Sequence, residues 1–406
     1  MNKAGVIIVG AGASGLACAL TLARGGKKVI LLEKEILAGR KILISGNGRC
    51  NFTNAAVSPD KYFEAAEFVF PALQNFGVKE CLEFFESAGV LYTAQEGRYF
   101  PITGKASSVV GCFTNALKSA GAEIFLKTEV CKIENKNEVF KICAQNGDVF
   151  ETKKLVLACG SRAFAQAGGS EKGYALAKRF GHTITKLTPA LSAINLKEKA
   201  VSRLAGLRVY ANVILRDANG QIKDSEEGEI IFGGCGVSGN NILSISRSAV
   251  AGDKLLIDFL PQLIGGKFDG FINVRKRQMA GFKISSFFTG ILADNAANLL
   301  LDFLGIKKNV LTTDINAHIF DKIIKTVKAW PFTVESLRSE KEACVTRGGV
   351  SRQEIYPRSM QSLKTRGLYI TGELLDVDGR CGGYNLHFAW ASGILAAKDI
   401  LNGRVS

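Results

Sequence analysis

Apolar and polar positions follow two different patterns at the start of the chain. Residues 5–9 form an almost unbroken β-branched run, which is typical of a buried strand. Residues 14–24 carry Leu and Ala at helical spacing and are followed by two glycines, which predicts a helix that ends there. A second apolar run at residues 28–32 completes a strand–helix–strand unit.

Similar patterns continue up to residue 160. Helical spacing predicts three helices, at residues 59–70, 78–87 and 106–119, and a short strand includes residues 98–100. Alternating apolar positions predict a β-meander with strands at residues 123–126, 139–142 and 148–151. Its last turn contains Asn146-Gly147, a dipeptide favoured in tight hairpins. A buried strand is expected at residues 154–158.

The character of the chain changes near residue 190. The next segment is strand-rich to about residue 260 and helical at about 265–328, and a buried strand resumes only at residues 367–371, before a final helix from 386 to about 401. We therefore expect an α/β, Rossmann-like domain made of residues 1–190 and 345–406. Residues 191–344 are expected to be an inserted substrate or cap domain, barrel-like and then helical.

A glycine motif lies between the first strand and the first helix. The order strand, Gly-x-Gly-x-x-Gly, helix is the context in which this motif binds a dinucleotide pyrophosphate. Glu33, at the end of the second strand, is placed to accept hydrogen bonds from a ribose. The motif residues expected to contact the cofactor are Gly10, Gly12, Ala13, Ser14 and Gly15.

The segment between residues 34 and 160 favours FAD over NAD. A simple NAD-binding half would continue with alternating strands and helices, whereas this chain interposes a Gly/Arg/Asn-rich loop at residues 39–54, helices and a meander. The Gly372-Glu373 pair follows a buried strand more than three hundred residues away. This arrangement is typical of large flavoproteins with two dinucleotide-binding folds.

Three further segments resemble one bacterial family. Residues 39–54 read GRKILISGNGRCNFTN, residues 346–350 read TRGGV, and residues 372–386 read GELLDVDGRCGGYNL. They resemble the FAD-dependent flavoproteins known as aminoacetone oxidases and dehydro-bile-acid reductases. The resemblance implies a fold like that of the succinate dehydrogenase and fumarate reductase flavoproteins, with a barrel-like and helical insertion.

The resemblance also implies the roles of individual loops. Residues 45–51 would lie against the flavin, Glu373 would meet the ribitol, and residues 382–385 would lie beside the pyrimidine edge. The last helix begins there, so its positive end would stabilise negative charge on reduced flavin. The remaining expected cofactor contacts are Lys34, Arg40, Lys41, Ser45, Gly46, Gly48, Arg49, Cys50, Asn51, Val130, Ala158, Gly160, Gly372, Glu373, Asp378, Gly382, Gly383, Tyr384, Asn385 and Leu386.

Tyr384 and Arg49 are the candidate catalytic residues, each with a structural alternative. Tyr384 is expected beside the ring but is equally compatible with packing, and Arg49 could instead tie down its own loop, as Asn51 could. His387 is a weaker candidate proton donor, because a lone helical histidine more often packs or caps.

The chain departs from the family pattern at two places. It has Asn240 where relatives have Pro after Gly-Val-Ser-Gly, and Cys159-Gly160-Ser161 where they have Thr-Gly-Gly. Cofactor binding is compatible with both changes, whereas substrate preference is left open.

Charge and cysteine content exclude some classes of protein. The net charge is +15, but no run of five basic residues occurs, so we expect a solvated surface and no nucleic-acid partner. Ten scattered cysteines without a C-x-x-C pair indicate a reducing, cytoplasmic location and argue against flavin–disulfide chemistry, although Cys50 and Cys381 both fall in loops expected near the flavin. With three histidines in the chain, no metal site is expected. Glycines interrupt the one long apolar run, at residues 4–23, so no membrane span is expected either.

The sequence therefore predicts an FAD-dependent oxidoreductase that exchanges a hydride between flavin N5 and a small organic substrate held between the two domains. Enone-type reduction and amine oxidation are both open, with NAD(P)H as a candidate transient donor, because only one dinucleotide motif is present. A flavin-dependent RNA-modifying protein is the alternative, and a flavin-loaded scaffold without turnover is a third possibility. The sequence leaves the oligomeric state open.

Overall fold

The computed structural model describes residues 2–339 and 342–403. Its centre is a five-stranded parallel sheet, in which the strands predicted from β-branched runs lie side by side and are fully buried. In spatial order the strands are Leu368–Ile370, Leu155–Leu157, Val6–Val9, Val29–Leu32 and Glu123–Phe125.

The β-meander exists, but one of its strands was predicted wrongly. Glu123–Phe125 pairs in parallel with Val29–Leu32 and is the edge strand of the central sheet. The meander instead begins with Val130–Lys136, a strand in which only Val130 and Ile133 are buried, so that its alternation is weak. Its order is Asn2–Lys3, Val149–Thr152, Val139–Ala144 and Val130–Lys136.

Among the described residues 2–189 and 342–403, seven α-helices accompany these sheets. The expected glycine-rich loop at 39–54 contains a helix that leaves helical geometry at Ser45, Gly46 and Asn47. The segment predicted as one helix at 59–70 is a 3-10 turn, Pro59–Ala65, followed by an α-helix. The α-helices are Ala13–Arg24, Arg40–Gly48, Ala66–Asn75, Val78–Ser87, Ala106–Ser119, Lys172–Arg179 and Tyr384–Asn402.

The last helix packs closely against the first. A Cβ placed on Gly393 would lie 2.2 Å from the carbonyl oxygen of Ser14, so only glycine permits this approach. A small three-stranded sheet is also present, and Phe52, just before its first strand, stacks on Phe85 of the helix Val78–Ser87 with ring centroids 4.0 Å apart. Its strands are Thr53–Asn54, Arg98–Pro101 and Tyr92–Gln95, and two further strands in the chain are Thr188–Ala190 and Val345–Arg347.

The described residues divide into two compact units, one made of residues 2–189 with 342–403, the other of Ala190–Ser339. The second unit is a closed six-stranded barrel with helices, as the fold class predicted. Ala211, Val213 and Leu215 alternate inward on one barrel strand. The barrel strands in spatial order are Ile194–Leu196, Gly236–Ser238, Ile222–Phe232, Arg208–Arg216, Lys254–Asp258 and Trp330–Leu337. Its α-helices are Asn240–Ser246, Gly266–Gln278, Ile284–Phe287, Asp294–Phe303 and Ala317–Lys328.

Candidate functional site

The glycine turn is packed so tightly that two of its glycines cannot carry a side chain. A Cβ on Gly10 would lie 2.4 Å from the Ala158 carbonyl oxygen, and one on Gly15 would lie 1.9 Å from the Gly10 carbonyl oxygen. Gly12 differs, because a Cβ there would meet no atom within 4 Å. Gly12 therefore faces open space, where a phosphate can approach the backbone.

The first helix begins at this turn and directs its N-terminus towards the same space. Gly12 is the N-cap residue of this helix, and no side chain caps the helix there. The first N–H groups of the helix are therefore available to an anion. Ala13 and Ser14 belong to this first turn, but both side chains are buried. Ser14 packs against Gly372, where an added Cβ would lie 2.6 Å from the serine Oγ. Ser14 is therefore suited to contact a ligand through its backbone.

Glu33 is held in a fixed position beside the glycine turn. Its Oε2 accepts a hydrogen bond from the N–H of Ala11 at 2.7 Å, and its Oε1 accepts one from the N–H of Glu35 at 2.9 Å. Both are charge-assisted bonds to buried or partly buried backbone. These two bonds fix the orientation of the carboxylate at the end of the second strand, the position where an acidic residue is expected to accept from a ribose in this type of fold.

These groups line one cleft with about 830 Å³ of atom-free space, part of it open to solvent. The sequence-predicted residues that line it are Gly10, Gly12, Glu33, Lys34, Arg40, Lys41, Val130, Ala158 and Gly160. Further lining residues that were not among the expected contacts are Ala11, Thr128, Glu129, Cys159, Ser161, Gly168, Gly169 and Lys172. Ala11 lies within the glycine motif, Cys159 and Ser161 flank the expected Gly160, and Gly168-Gly169 is a pair typical of turns, whereas nothing in the sequence marked the other three.

Basic side chains surround the cleft, and carboxylates position them. Arg40 pairs with Glu35 and donates to the carbonyl oxygen of Gln166 at 2.8 Å, while Lys34 Nζ lies 3.6 Å from Glu35 Oε1. Lys41 Nζ lies 2.5 Å from Glu373 Oε2 and 3.3 Å from Ser161 Oγ. Lys41 therefore links the cleft to the Gly372-Glu373 pair, whose residues do not themselves line it.

The loop at residues 45–51 is strained and partly buried. Cys50 adopts a left-handed φ of 60°, and its N–H donates to the Ser45 carbonyl oxygen at 2.9 Å. A Cβ on Gly46 would lie 2.8 Å from the Asn51 nitrogen, whereas Gly48 has more room. Burial raises the pKa of the Cys50 thiol to about 12. A thiol held protonated in this way is a poor redox nucleophile, which agrees with the expectation against disulfide chemistry.

The side chain of Arg49 is already engaged within the protein. Its guanidinium lies 4.2 Å from the ring centroid of Phe100, and one of its nitrogens donates to Gln95 Oε1 at 2.7 Å. These contacts support the alternative in which Arg49 ties down its loop. Its catalytic role stays a prediction.

The loop before the last helix is held by side-chain hydrogen bonds. Asn54 Nδ2 donates to the Gly382 carbonyl oxygen at 2.9 Å, and a Cβ on Gly383 would lie 2.8 Å from the Thr53 carbonyl oxygen. Asn385 binds both the N–H and the C=O of Gly379, each at 2.8 Å, so its amide stabilises the loop. Other expected contacts in this loop are the buried Asp378 and Tyr384 and the half-buried Leu386.

His387 is a fully buried, neutral residue. Its Nε2 lies 3.0 Å from the Phe76 carbonyl oxygen, which can only accept, so Nε2 carries the proton. Its Nδ1 then accepts from the Thr53 hydroxyl at 2.7 Å. Burial lowers the pKa of His387 to about 4. These contacts favour a packing role for His387, as its sequence context did. They do not support a role as proton donor.

Residues 4–399 match the model of one protein family, the HI0933-like protein Rossmann domain. The chain belongs to this family. A relative from Clostridium scindens, the 3-dehydro-bile acid delta(4,6)-reductase, is 34% identical over 409 residues and is covered over 98% of both chains. The ribosomal RNA dihydrouridine synthase of Haemophilus influenzae is 29% identical over 401 residues, 97% of this chain and 98% of that protein.

A solved structure shares the fold of this chain. The 3-ketosteroid-delta4-(5alpha)-dehydrogenase from Rhodococcus jostii, in complex with 4-androstene-3,17-dione, superposes with a TM-score of 0.50 at 14% identity, over 98% of this chain and 97% of that one. With this family membership, the chain is an FAD-dependent oxidoreductase. The open space over Gly12, the uncapped helix and the oriented Glu33 carboxylate fit the adenosine diphosphate part of FAD. In the described part of the chain no helix has the length and apolar character needed to cross a bilayer.

Proposed function

We propose that the protein reduces a C=C bond conjugated to a carbonyl group in a small organic molecule. The observation that carries this proposal is the 34% identity, over nearly the whole chain, to a reductase whose name specifies a 3-keto compound with such double bonds. Dihydrouridine also arises when two hydrogens add to a C=C bond conjugated to a carbonyl, so the name of a second relative implies the same class of chemistry.

The residues of this chain would position the cofactor and the substrate. Gly12 and the helix start would hold the pyrophosphate, Glu33 the adenosine ribose, and Glu373 the ribityl chain. Bound FAD would supply a hydride from N5. The N-terminus of Tyr384–Asn402 would stabilise negative charge at the pyrimidine edge. We propose Tyr384 as the proton donor, with residues 191–344 as the substrate domain.

The electron donor is proposed to be NAD(P)H that visits the flavin transiently. Residues 10–15 and 234–239 both have the Gly-x-Gly-x-x-Gly spacing, but the second lies in the barrel, where Gly236–Ser238 is a strand. The presence of one such motif in a strand–turn–helix unit of the parallel sheet supports a shared rather than a dedicated nicotinamide site. Amine oxidation is the second small-molecule candidate, and it rests on the family resemblance alone.

An RNA substrate is the candidate from another class. Two relatives that cover nearly the whole chain are ribosomal RNA dihydrouridine synthases, from Haemophilus influenzae and Escherichia coli, the second at 28% identity. The net charge of +15 is compatible with a phosphate-rich partner. The reaction would be of the same type, with a uracil ring in place of a small ketone.

One anaerobic experiment separates these candidates. The purified holoprotein is reduced with NADH or NADPH, and reoxidation of the flavin is followed after addition of a steroid enone or unmodified ribosomal RNA. In a separate arm a small amine is added to the oxidised holoprotein, and reduction of the flavin is followed. We expect reoxidation by the enone. Rapid reoxidation by RNA alone would move the assignment to an RNA-modifying enzyme, and flavin reduction by the amine would move it to an oxidase.

Matched tyrosine variants test the proton donor. Tyr384→Phe is expected to slow reoxidation by the enone while NAD(P)H still reduces the flavin, because only the protonation step uses the hydroxyl. Tyr356→Phe is the control, since Tyr356 is exposed. Equal reoxidation rates in the two variants would remove Tyr384 from the reaction.

A further inference from the structure

Two cysteines lie next to each other on the outer face of the meander. Cys131 is exposed and its Sγ lies 3.3 Å from the carbonyl oxygen of Cys143, which is half-buried on the neighbouring strand. The pairing passes from Val130 opposite Ala144 directly to Lys132 opposite Cys143. Cys131 is therefore the extra residue of a β-bulge, which commonly redirects a side chain.

The bulge brings both thiols to one face of the sheet. Lys132 lies directly opposite Cys143 in the strand pairing. The pKa of Lys132 is raised, mainly by its hydrogen bond with Glu134 and to a smaller extent by the nearby Cys143. Residues opposite each other on antiparallel strands have Cα atoms about 4.5–5.5 Å apart. That spacing lies within the ~4.4–6.8 Å window of disulfides. In a β-bulge two residues of one strand oppose one residue of its neighbour, here Cys131 and Lys132 opposite Cys143, so a spacing of this order is expected between Cys131 and Cys143 as well.

The bulge directly follows a segment that lines the cofactor cleft. Thr128, Glu129 and Val130 line the cleft, and the bulge begins at the next residue. The carbonyl oxygen of Glu129 accepts from the N–H of Gln145 at 2.7 Å, and its carboxylate lies 2.7 Å from Lys172 Nζ. A covalent bond across the bulge would restrict the movement of this lining segment.

We propose that Cys131 and Cys143 form a reversible disulfide bond with each other by exchange with a low-molecular-weight disulfide such as oxidised glutathione. This bond slows the release of FAD. The Cys131 thiolate attacks the glutathione disulfide, and one glutathione leaves. The Cys143 thiolate then attacks the sulfur of Cys131, and the second glutathione leaves. Two protein thiols are oxidised and one glutathione disulfide is reduced, and the two thiol protons end on the two glutathione molecules.

The modification is tested by peptide mass spectrometry on the full-length holoprotein after treatment with oxidised glutathione. We expect a disulfide-linked pair of peptides containing Cys131 and Cys143. Cys143→Ser should instead accumulate a glutathione adduct on Cys131, because the resolving thiol is gone, and Cys131→Ser should show neither product. Cys235→Ser is the control: Cys235 is also exposed but lies in the barrel unit, and its loss should change nothing.

The result that overturns the pairing is a stable glutathione adduct on Cys131 in the wild-type protein, or linkage of Cys131 to a different cysteine. The effect on FAD rests on the proposed cofactor site, whereas the peptide mapping does not, so the two can fail separately. FAD release, followed by the rise in flavin fluorescence on dilution, should be several-fold slower after oxidation and should recover with a reducing thiol. An unchanged rate in fully oxidised protein would overturn the coupling to the cleft.

Discussion

Lys41 Nζ lies 2.5 Å from Glu373 Oε2, although 332 positions separate the two residues in the chain. The other carboxylate oxygen of Glu373 accepts from the N–H of Thr346 at 3.2 Å. The pair therefore joins the helix Arg40–Gly48 to the segment that follows Leu368–Ile370, a strand of the central sheet. Both side chains are mostly shielded from solvent, so the pair is less screened than a surface salt bridge.

Lys41→Met should destabilise the protein, because Glu373 Oε2 would lose its hydrogen-bond and ion-pair partner in a place that is mostly shielded from solvent. Leaving such an acceptor unsatisfied costs about 1–3 kcal/mol. The free energy of unfolding, measured by urea denaturation, should fall by this amount. Lys3→Met is the matched control, since Lys3 is exposed and lies 3.4 Å from Glu151. Its effect should stay within about 0.5 kcal/mol, and equal losses in both variants would contradict a special role for Lys41.

Two glycines of the turn should respond differently to the same added methyl group. Gly15→Ala places a Cβ 1.9 Å from a backbone oxygen, so it should destabilise the fold by about 1–3 kcal/mol or more. Gly12→Ala meets no atom, so the melting temperature of the protein without FAD should change little.

The methyl group of Gly12→Ala does, however, project into the cleft, where it would keep the phosphates from the backbone. FAD affinity, measured by titration of the apoprotein, should therefore fall roughly tenfold or more. Tight FAD binding by Gly12→Ala would show that the pyrophosphate lies elsewhere.

The sequence could predict the turn because much of its packing is local: Gly15 lies against the Gly10 carbonyl oxygen, and Glu33 binds the N–H of Ala11. The contact of Gly10 with the Ala158 carbonyl oxygen is the part that needs the folded sheet. The pairing of strands was less predictable. Glu123–Phe125 has the same alternation in the central sheet as it would have had in the meander, and only non-local pairing with Val29–Leu32 distinguishes the two.

The roles of single polar residues could not be predicted from residue type. Arg49 stacks on Phe100, and Asn385 holds Gly379, because these partners reach them only through the folded chain. In the same way, nothing in the sequence near His387 shows that Phe76 and Thr53 use both of its ring nitrogens. Propensity and motif spacing therefore predicted several residues that line the cleft but did not assign the side-chain contacts around it.

The buried His387 should make the stability of the protein depend on pH below neutrality. Its pKa is lowered by burial to about 4 in the folded protein, against about 6.5 when unfolded. Between these values the unfolded state binds more protons, so the free energy of unfolding rises with pH. This contribution is complete above about pH 6.5 and is lost as the pH falls towards 4, and it amounts to something on the order of 3 kcal/mol.

His387→Gln removes the titrating ring and keeps groups that can bond to Phe76 and Thr53. Urea denaturation at a series of pH values should therefore give a shallower loss of stability on acidification than in the wild type. His182, whose pKa burial also lowers, contributes with the same sign and is present in both proteins. Parallel pH profiles for the two proteins would show that His387 does not titrate in this way.

Asn385 should act on the cofactor through the loop that it holds. Asn385→Ala removes both bonds to Gly379, which leaves a backbone donor and acceptor without partners in a partly buried loop. We expect a loss of about 1–3 kcal/mol in the free energy of unfolding and faster FAD release, because the loop that carries Gly382 and Gly383 would be held by fewer hydrogen bonds. Asn385→Asp keeps the acceptor for the Gly379 N–H but places a carboxylate against the Gly379 carbonyl, so it should release FAD at least as fast.

Asn402→Ala, at the exposed end of the same helix, is the control and should leave both measurements unchanged. If Asn385→Ala kept wild-type stability and wild-type release, the loop would have to be held by other contacts and the proposed placement of the pyrimidine edge beside it would lose its structural basis.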